Sequence, residues 1–281
     1  EPGSPPAASS RQPYPTTWVP GSIPRIRTTT TPPSVRSRAV KVAILLLAAG
    51  RGTRLGAEIP KAYLRLGPAP LLIHSAARLL AAVPETHRCE LLVLVQPEDR
   101  EAHLAPCLER LQKLLPTGAE LKVVDGGATR QESMDRGLAA TADDSDLVIV
   151  HDAARALVSI EHTRTCIHTA ATKGAALLAM PAIDTLKQVD GDRVLKTLNR
   201  DPIWHAQTPQ IAKRDLLLRA CEHARATEFQ ATDDASVLEH AGIEVTVVPS
   251  TAGNLKITHP DDLLLAEALL GRDPTPFPGG F

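Results

Sequence analysis

The 281 residues are 43% hydrophobic and 22% charged, with 31 basic against 32 acidic side chains and a formal net charge of −1. That balance excludes a global attraction to nucleic acid or anionic membrane, so any anion site must be local, and no apolar run reaches the roughly 20 residues of a membrane-spanning helix. The four cysteines, Cys89, Cys107, Cys166 and Cys221, lie far apart in no Cys-x-x-Cys or Cys/His ligand spacing, which excludes a disulfide framework and a zinc site and reads as reduced thiols in a cytoplasmic protein.

Residues 1–38 are crowded with Pro, Ser and Thr and carry five arginines against one acidic residue, Glu1. They show no apolar period of 2 or 3.6, so a disordered tail is expected. The same Arg- and Ser-rich, acid-poor composition fits an organelle transit peptide, which would place the protein in a plastid stroma. From Val40 strands and helices alternate: strand 42–47, helix 71–83, buried strand 90–95, a broken helical stretch 98–115, strand 119–124, helix 131–140, strand 147–150, helix 161–173 and strand 175–180. Continuous apolar strands between helices predict an α/β fold, a Rossmann-like, mostly parallel sheet with helices on both faces and right-handed crossovers. In such sheets ligands sit beyond the carboxyl ends of strands. Residues 184–198 break the alternation. Two short strands, 185–189 and 193–198, flank Asp190-Gly191-Asp192 and predict a projecting β-hairpin arm over about 184–208. Helices 213–225 and 232–240, strand 244–248, a short strand 255–258 and a terminal helix 261–270 follow. The folded domain so read spans 39–272, and 273–281 form a C-terminal tail.

Six segments concentrate chemistry-bearing residues. The first is Leu47-Ala48-Ala49-Gly50-Arg51-Gly52-Thr53-Arg54-Leu55-Gly56 with Pro60-Lys61, where a small-residue turn and two cations, Arg54 and Lys61, suit a nucleoside triphosphate. It lacks the Gly-Lys-Ser/Thr ending of a P-loop and the third glycine of a dinucleotide fingerprint. The second is Asp125-Gly126-Gly127-Ala128-Thr129-Arg130-Gln131-Glu132-Ser133; Ser133 falls in a first helical turn, and Thr129 with Glu132 reads as a capping box. The third, His151-Asp152-Ala153-Ala154-Arg155, puts a carboxylate at a strand end, where it can hold a metal or a hydroxyl. Arg155 there offers a planar fork for phosphate, and His151 reads as a packed or hydrogen-bonded histidine. The fourth comprises Asp184-Thr185-Leu186-Lys187, Arg200 and the polar run Trp204–Gln210. Thr232-Asp233-Asp234-Ala235-Ser236 reads as a capped helix start. In Gly253-Asn254-Leu255-Lys256-Ile257-Thr258 a lone lysine on an apolar segment is costly unless it faces an anion.

Taken together and in this order, the six segments, from about Val40 to Leu270, resemble the 2-C-methyl-D-erythritol 4-phosphate cytidylyltransferase family. The motifs that carry the resemblance are Ala48 to Arg54 with Pro60-Lys61; Gly126, Gly127, Arg130 and Ser133; His151 to Arg155; Asp184-Thr185-x-Lys187; Thr208-Pro209-Gln210; Thr232-Asp233-x-Ala235-Ser236; and Asn254-x-Lys256-x-Thr258. Ala156, Ile211-Ala212 and Gly253 depart from the family pattern. The resemblance implies a nucleotidyltransferase (GT-A-like) fold and transfer of the cytidylyl group of CTP to methylerythritol 4-phosphate with release of pyrophosphate. It implies Arg54 and Lys61 as stabilisers of the transition state, and Arg200 and Lys256 as holders of the attacking phosphate. Ala48, Ala49, Gly50, Gly52, Arg54, Lys61, Gly127, Ser133, Asp152 and Ala153 would hold CTP. Mg²⁺ would bridge the CTP phosphates with Asp152 as its protein residue, and Asp152, Arg155, Asp184, Thr185, Thr208 and Thr232 would complete the polyol phosphate pocket with Arg200 and Lys256. A homodimer that exchanges the arm is implied as well. The alternatives are a ribitol 5-phosphate cytidylyltransferase, disfavoured by Ala48-Ala49-Gly50, Ala153-Ala154 and Lys187, and a non-catalytic nucleotide-binding regulatory module, disfavoured by the presence of Arg54 and Lys61. A fused second enzyme is not expected, because no further sequence follows Phe281 to encode it.

Overall fold

The segment Lys-Val-Ala-Ile-Leu-Leu-Leu forms strand β1 (Lys41–Leu47), in which Val42 to Leu46 are completely buried. A computed structural model describes residues 39–50, 52 and 59–272, all within one compact unit; Arg54, residues 1–38 and residues 273–281, on which expectations fell, lie outside the described residues. After β1 come β2 (Arg65–Leu66), β3 (Ala69–Pro70), α1 (Leu71–Ala82), β4 (Arg88–Val95), α2 (Ala105–Leu114), β5 (Glu120–Asp125), α3 (Arg130–Ala139), β6 (Leu147–Asp152), α4 (Ile160–Lys173) and β7 (Ala175–Pro181). The arm is β8 (Lys187–Asp190) with β9 (Arg193–Thr197), and the chain ends with β10 (Trp204–Lys213), α5 (Arg214–Ala226), α6 (Asp234–His240), β11 (Thr246–Pro249) and α7 (Pro260–Leu270).

Seven strands form one sheet in the order β11-β7-β10-β6-β1-β4-β5. β1 is parallel to β4 and to β6, with Ile44 opposite both Leu91 and Ile149. Side chains alternate across the pleat, and β1 shows the consequence. Val42, Ile44 and Leu46 pack into the layer of α1, α2 and α4, while Ala43 and Leu45 pack against α3, α5 and α6. Helices on both faces are why the strands need no polar side, as the sequence pattern anticipated. The chain moves from β1 outward to β4 and β5, then returns to place β6 on the other flank of β1. That reversal opens a crevice at the carboxyl ends of β1 and β6.

The structure departs from the expected elements at four points. The polar run 204–210 is part of β10, a ten-residue strand that runs antiparallel between β6 and β7. Its buried Gln207, Thr208 and Gln210 hid it from any apolar pattern. They are tolerated inside because they are bonded: Gln207 and Thr208 accept from Asn254, and Gln210 bonds Asp233 and the Ala235 N–H. Residues 255–258 are irregular rather than a strand, tied to the core by the Ile257 N–H on the Ala154 carbonyl at 2.9 Å. A small β2–β3 hairpin precedes α1, where no element was expected. The arm's ladder is shorter than read, with Val189 opposite Val194, and projects as expected with every strand residue exposed.

Candidate active site

A cavity of about 520 Å³ lies beyond the carboxyl ends of β1, β4, β5 and β6, within the usual range for small-molecule sites. Three loops wall it. The first, after β1, supplies Ala48, Ala49 and Gly50, and Lys61 returns to the same rim on a short 3-10 turn. Gly52 makes that return possible: its φ of +64° is left-handed, and a Cβ there would stand 2.7 Å from the Lys61 Cβ. The second loop, after β5, supplies Gly127, Ala128 and Thr129, and a Cβ on Gly126 would lie 2.3 Å from that of Ala49. The glycine is what lets the two loops touch. Gln96, after β4, clasps them by donating to the carbonyls of Ala49 and Gly127 at 3.0 and 3.2 Å. The end of β6 gives Asp152, the third loop after it gives Ala153 and Ala154, and Lys256 closes that side.

Not every backbone amide expected to meet a ligand is available to one. The Ala48 N–H donates to Leu94, the Ala153 N–H to Leu47, and the Gly127 N–H to the Ser133 hydroxyl at 2.9 Å. These residues therefore shape the cleft. Ser133 in turn donates to the Thr129 carbonyl, so it braces the second loop. Thr129 caps α3 by accepting the Glu132 N–H at 3.0 Å, and the Glu132 carboxylate reaches back to the Ala128 N–H at 2.8 Å.

Asp152 is the electrostatic centre. Its carboxylate lies 2.7 Å from Lys256 Nζ, 3.3 Å from Arg130 Nε and 3.9 Å from Arg155 Nε. Burial would favour the neutral acid, but Arg130, Lys256 and Arg155 outweigh it and hold the group ionised, well below the ordinary carboxylate range. The anion that the lone lysine required is thus Asp152. Arg130 feels the same competition: burial works against its charge, and Asp234 and Asp152 restore and reinforce it. Behind the carboxylate, the Asp152 N–H donates to the Thr208 hydroxyl at 3.1 Å, and Thr208 also meets His151 Nδ1 at 3.1 Å. Burial pushes His151 down to about 4. Its neutral ring then accepts the Thr208 hydroxyl at Nδ1 and donates from Nε2 to the Arg155 carbonyl at 3.3 Å.

Of the residues expected in the site, the cavity gathers Ala48, Ala49, Gly50, Lys61, Gly127, Ser133, Asp152, Ala153 and Lys256. Arg155 lies behind the wall, donating to the Asn254 carbonyl at 2.7 Å, and Thr208 supports Asp152 from the rear. Thr232 is exposed just before α6, where Asp233 rather than Thr232 caps the helix. Asp184, Thr185 and Arg200 are exposed at the base of the arm, outside the cavity, with the Arg200 guanidinium on the Ile183 carbonyl. Gln96 had drawn no notice in the sequence, and Arg130 only as part of a motif; a polar residue one step past a buried strand was the available signal for Gln96. Among the described residues no group of three or more His, Cys, Asp or Glu side chains converges, and Asp152 is the carboxylate in the cavity wall.

Residues 42–272 match the family model for 2-C-methyl-D-erythritol 4-phosphate cytidylyltransferase (IspD). The chain is 41% identical over 236 residues to the protein of that name from Chromohalobacter salexigens, covering 82% of this chain and 90% of the relative. It is 39% identical to the one from Solibacter usitatus, covering 83% and 97%. The crystal structure of the enzyme from Thermus thermophilus superposes with a TM-score of 0.66 at 34% identity, over 82% of this chain and 98% of that one. The 4-diphosphocytidyl-2C-methyl-D-erythritol synthase from Anaerococcus prevotii gives a TM-score of 0.69 at 28% identity, over 83% and 99%.

Proposed function

The chain belongs to the 2-C-methyl-D-erythritol 4-phosphate cytidylyltransferase family, and from that premise we propose how its residues divide the work. The enzyme is a nucleotidyltransferase: it moves the cytidylyl group of CTP onto 2-C-methyl-D-erythritol 4-phosphate and releases pyrophosphate, a step of non-mevalonate isoprenoid precursor biosynthesis. The phosphate nucleophile is already ionised, so no general base is needed. A dianion must approach an anionic phosphorus, and the task is positioning and charge neutralisation.

Ala48, Ala49, Gly50, Gly127, Ser133 and Ala153 form the slot for the cytidine half. Lys61, on the rim beside the first loop, neutralises the α-phosphoryl group and the departing pyrophosphate, with Arg54 from the same loop. Lys256 holds the attacking phosphate from the opposite wall. Arg200, Thr185 and Asp184 would reach a site from a partner's arm in a homodimer, and Thr232 completes that side. The observation that supports this division is the placement of Lys61, Asp152 and Lys256 around one cavity at the sheet's reversal point. Asp152 lines the cavity, but its oxygens already meet Lys256 and Arg130, so it fits Mg²⁺ only as a minor ligand of an ion that would draw the rest from phosphate and water. Asp152 would hold it, and when bound it would supply charge neutralisation along the triphosphate. Pyrophosphate release from CTP should require methylerythritol 4-phosphate, stop on addition of a chelator and return with excess Mg²⁺. Release that persists through chelation would rule out the metal.

A further inference from the structure

One ion pair beside the cavity, between a half-buried arginine and a buried aspartate, has no task in this division of labour. Arg130 opens α3, and Asp234 opens α6, 104 residues later. Two parallel bonds join them, Nη1 to Oδ1 at 2.6 Å and Nη2 to Oδ2 at 2.7 Å. The third guanidinium nitrogen, Nε, meets Asp152 Oδ1 at 3.3 Å, while Lys256 Nζ meets Oδ2 at 2.7 Å. Each oxygen of Asp152 thus has its own cation, and one of those cations is held in plane by a second buried carboxylate. Asp234 is 3% exposed and does not line the cavity; Arg130 does.

A guanidinium is a rigid planar fork, so an anion gripping two of its nitrogens sets the direction of the third. Asp234 is itself fixed. The N–H of its neighbour Ala235 donates to Gln210 Oε1 at 2.7 Å, and Gln210 Nε2 donates to Asp233 at 2.8 Å, which pins the start of α6 to β10. The sequence of contacts runs from the central sheet through α6 and Arg130 to Asp152, and from Asp152 to Lys256.

We propose that Asp234, acting through Arg130, is a positioning residue for cytidylyl transfer: the fork held by Asp234 fixes the Asp152 carboxylate that aims Lys256 at the attacking phosphate. This rests on the assignment of Lys256 to the polyol phosphate. A merely structural tie between α3 and α6 would alter thermal stability and leave the kinetics of the folded enzyme alone.

The test uses Asp234→Asn, Arg130→Lys and the double variant of the full chain, measuring pyrophosphate release over both substrates together with thermal unfolding. Asparagine keeps the shape of Asp234 without its charge. Lysine keeps the charge of Arg130, but one ammonium cannot hold two carboxylates in a common plane. Each single variant should lose about tenfold or more in kcat/KM for methylerythritol 4-phosphate, with the KM for CTP changed by less than about threefold, and the double variant should be no worse than the worse single because the pair acts as a unit. Folded variants whose kcat and KM stay within about twofold of the parent, or losses that multiply in the double variant, would overturn the proposal. If Asp234→Asn does not fold, Arg130→Lys decides. A parent chain that releases no pyrophosphate refutes the functional reading, whereas an active parent with unaffected variants refutes only the positioning role.

Discussion

At the scale of single residues, the site is a few cations arranged around one carboxylate. Lys61 faces the cavity and has the role that mutation can isolate. Replacing it with alanine should lower turnover by roughly a hundredfold or more, the size of effect of removing one electrostatic stabiliser. CTP binding, measured by titration calorimetry, should remain detectable, because the nucleotide slot is built by other residues; unchanged turnover would remove Lys61 from the reaction. The buried histidines set the pH dependence of stability. Burial lowers His151 and His74 from 6.5 to about 4, so the unfolded chain binds more protons than the folded one between those values. Stability must then fall as pH drops from about 6.5 towards 4. Asp152 stays ionised over that window and adds its own loss only at lower pH. The urea midpoint at pH 5 should lie below that at pH 7, and equal midpoints would contradict the burial of neutral imidazoles. The cavity positions of Asp152, Gly127 and Lys61 were legible in the sequence because Asp152 ends a buried strand, Gly127 sits in a glycine loop and Lys61 follows one. The rearward positions of Arg155 and Thr208 were not, since a planar fork and a hydroxyl read the same whether they face a ligand or, as here, the Asn254 carbonyl and the Asp152 N–H.

At the scale of elements, the arm poses the sharpest physical question. A lone two-stranded hairpin is marginal in water, yet β8 and β9 expose Val189, Val194 and Leu195, at 55%, 56% and 45%. A partner chain covering that surface would explain the pattern, and would bring Arg200 and Thr185 to a site they do not reach within one chain. Placing aspartate at both Val189 and Val194, which are cross-strand neighbours, should leave a species with the mass of one chain in light scattering and raise the KM for the polyol phosphate. A double variant that keeps the parent's mass and kinetics would show that the arm does not serve assembly. Elements with a strong apolar period were legible to within a few residues: β1, α1, β4, α4 and β7 all fall where the pattern put them. β10 was not, because its interior half is built from Gln207, Thr208 and Gln210, whose cost of burial is offset by hydrogen bonds that only the folded chain supplies. The lysine-bearing segment 255–258 was mistaken for a strand for the converse reason: its apolar residues pack against Leu66, Leu71 and Ala156 without a ladder partner.

At the scale of the whole molecule, a net charge of −1 leaves anion binding to local geometry, and the sheet supplies it. Four adjacent parallel strands end on one side, and the reversal between β1 and β6 opens the crevice that holds Lys61, Arg130 and Lys256. Among the described residues no helix is long and apolar enough to cross a membrane. The fold class followed from continuous apolar strands between helices; the antiparallel insertion and the Gln96 clasp needed the three-dimensional arrangement. This cavity should transfer a cytidylyl group to a branched four-carbon polyol phosphate in preference to a linear five-carbon one. The direct measurement is pyrophosphate release with CTP and Mg²⁺, comparing kcat/KM for methylerythritol 4-phosphate and ribitol 5-phosphate. The expected preference is about tenfold or more for methylerythritol 4-phosphate, the discrimination that about 1.4 kcal/mol of differential transition-state binding confers. Equal rates, a preference for ribitol 5-phosphate, or no release with either would contradict it.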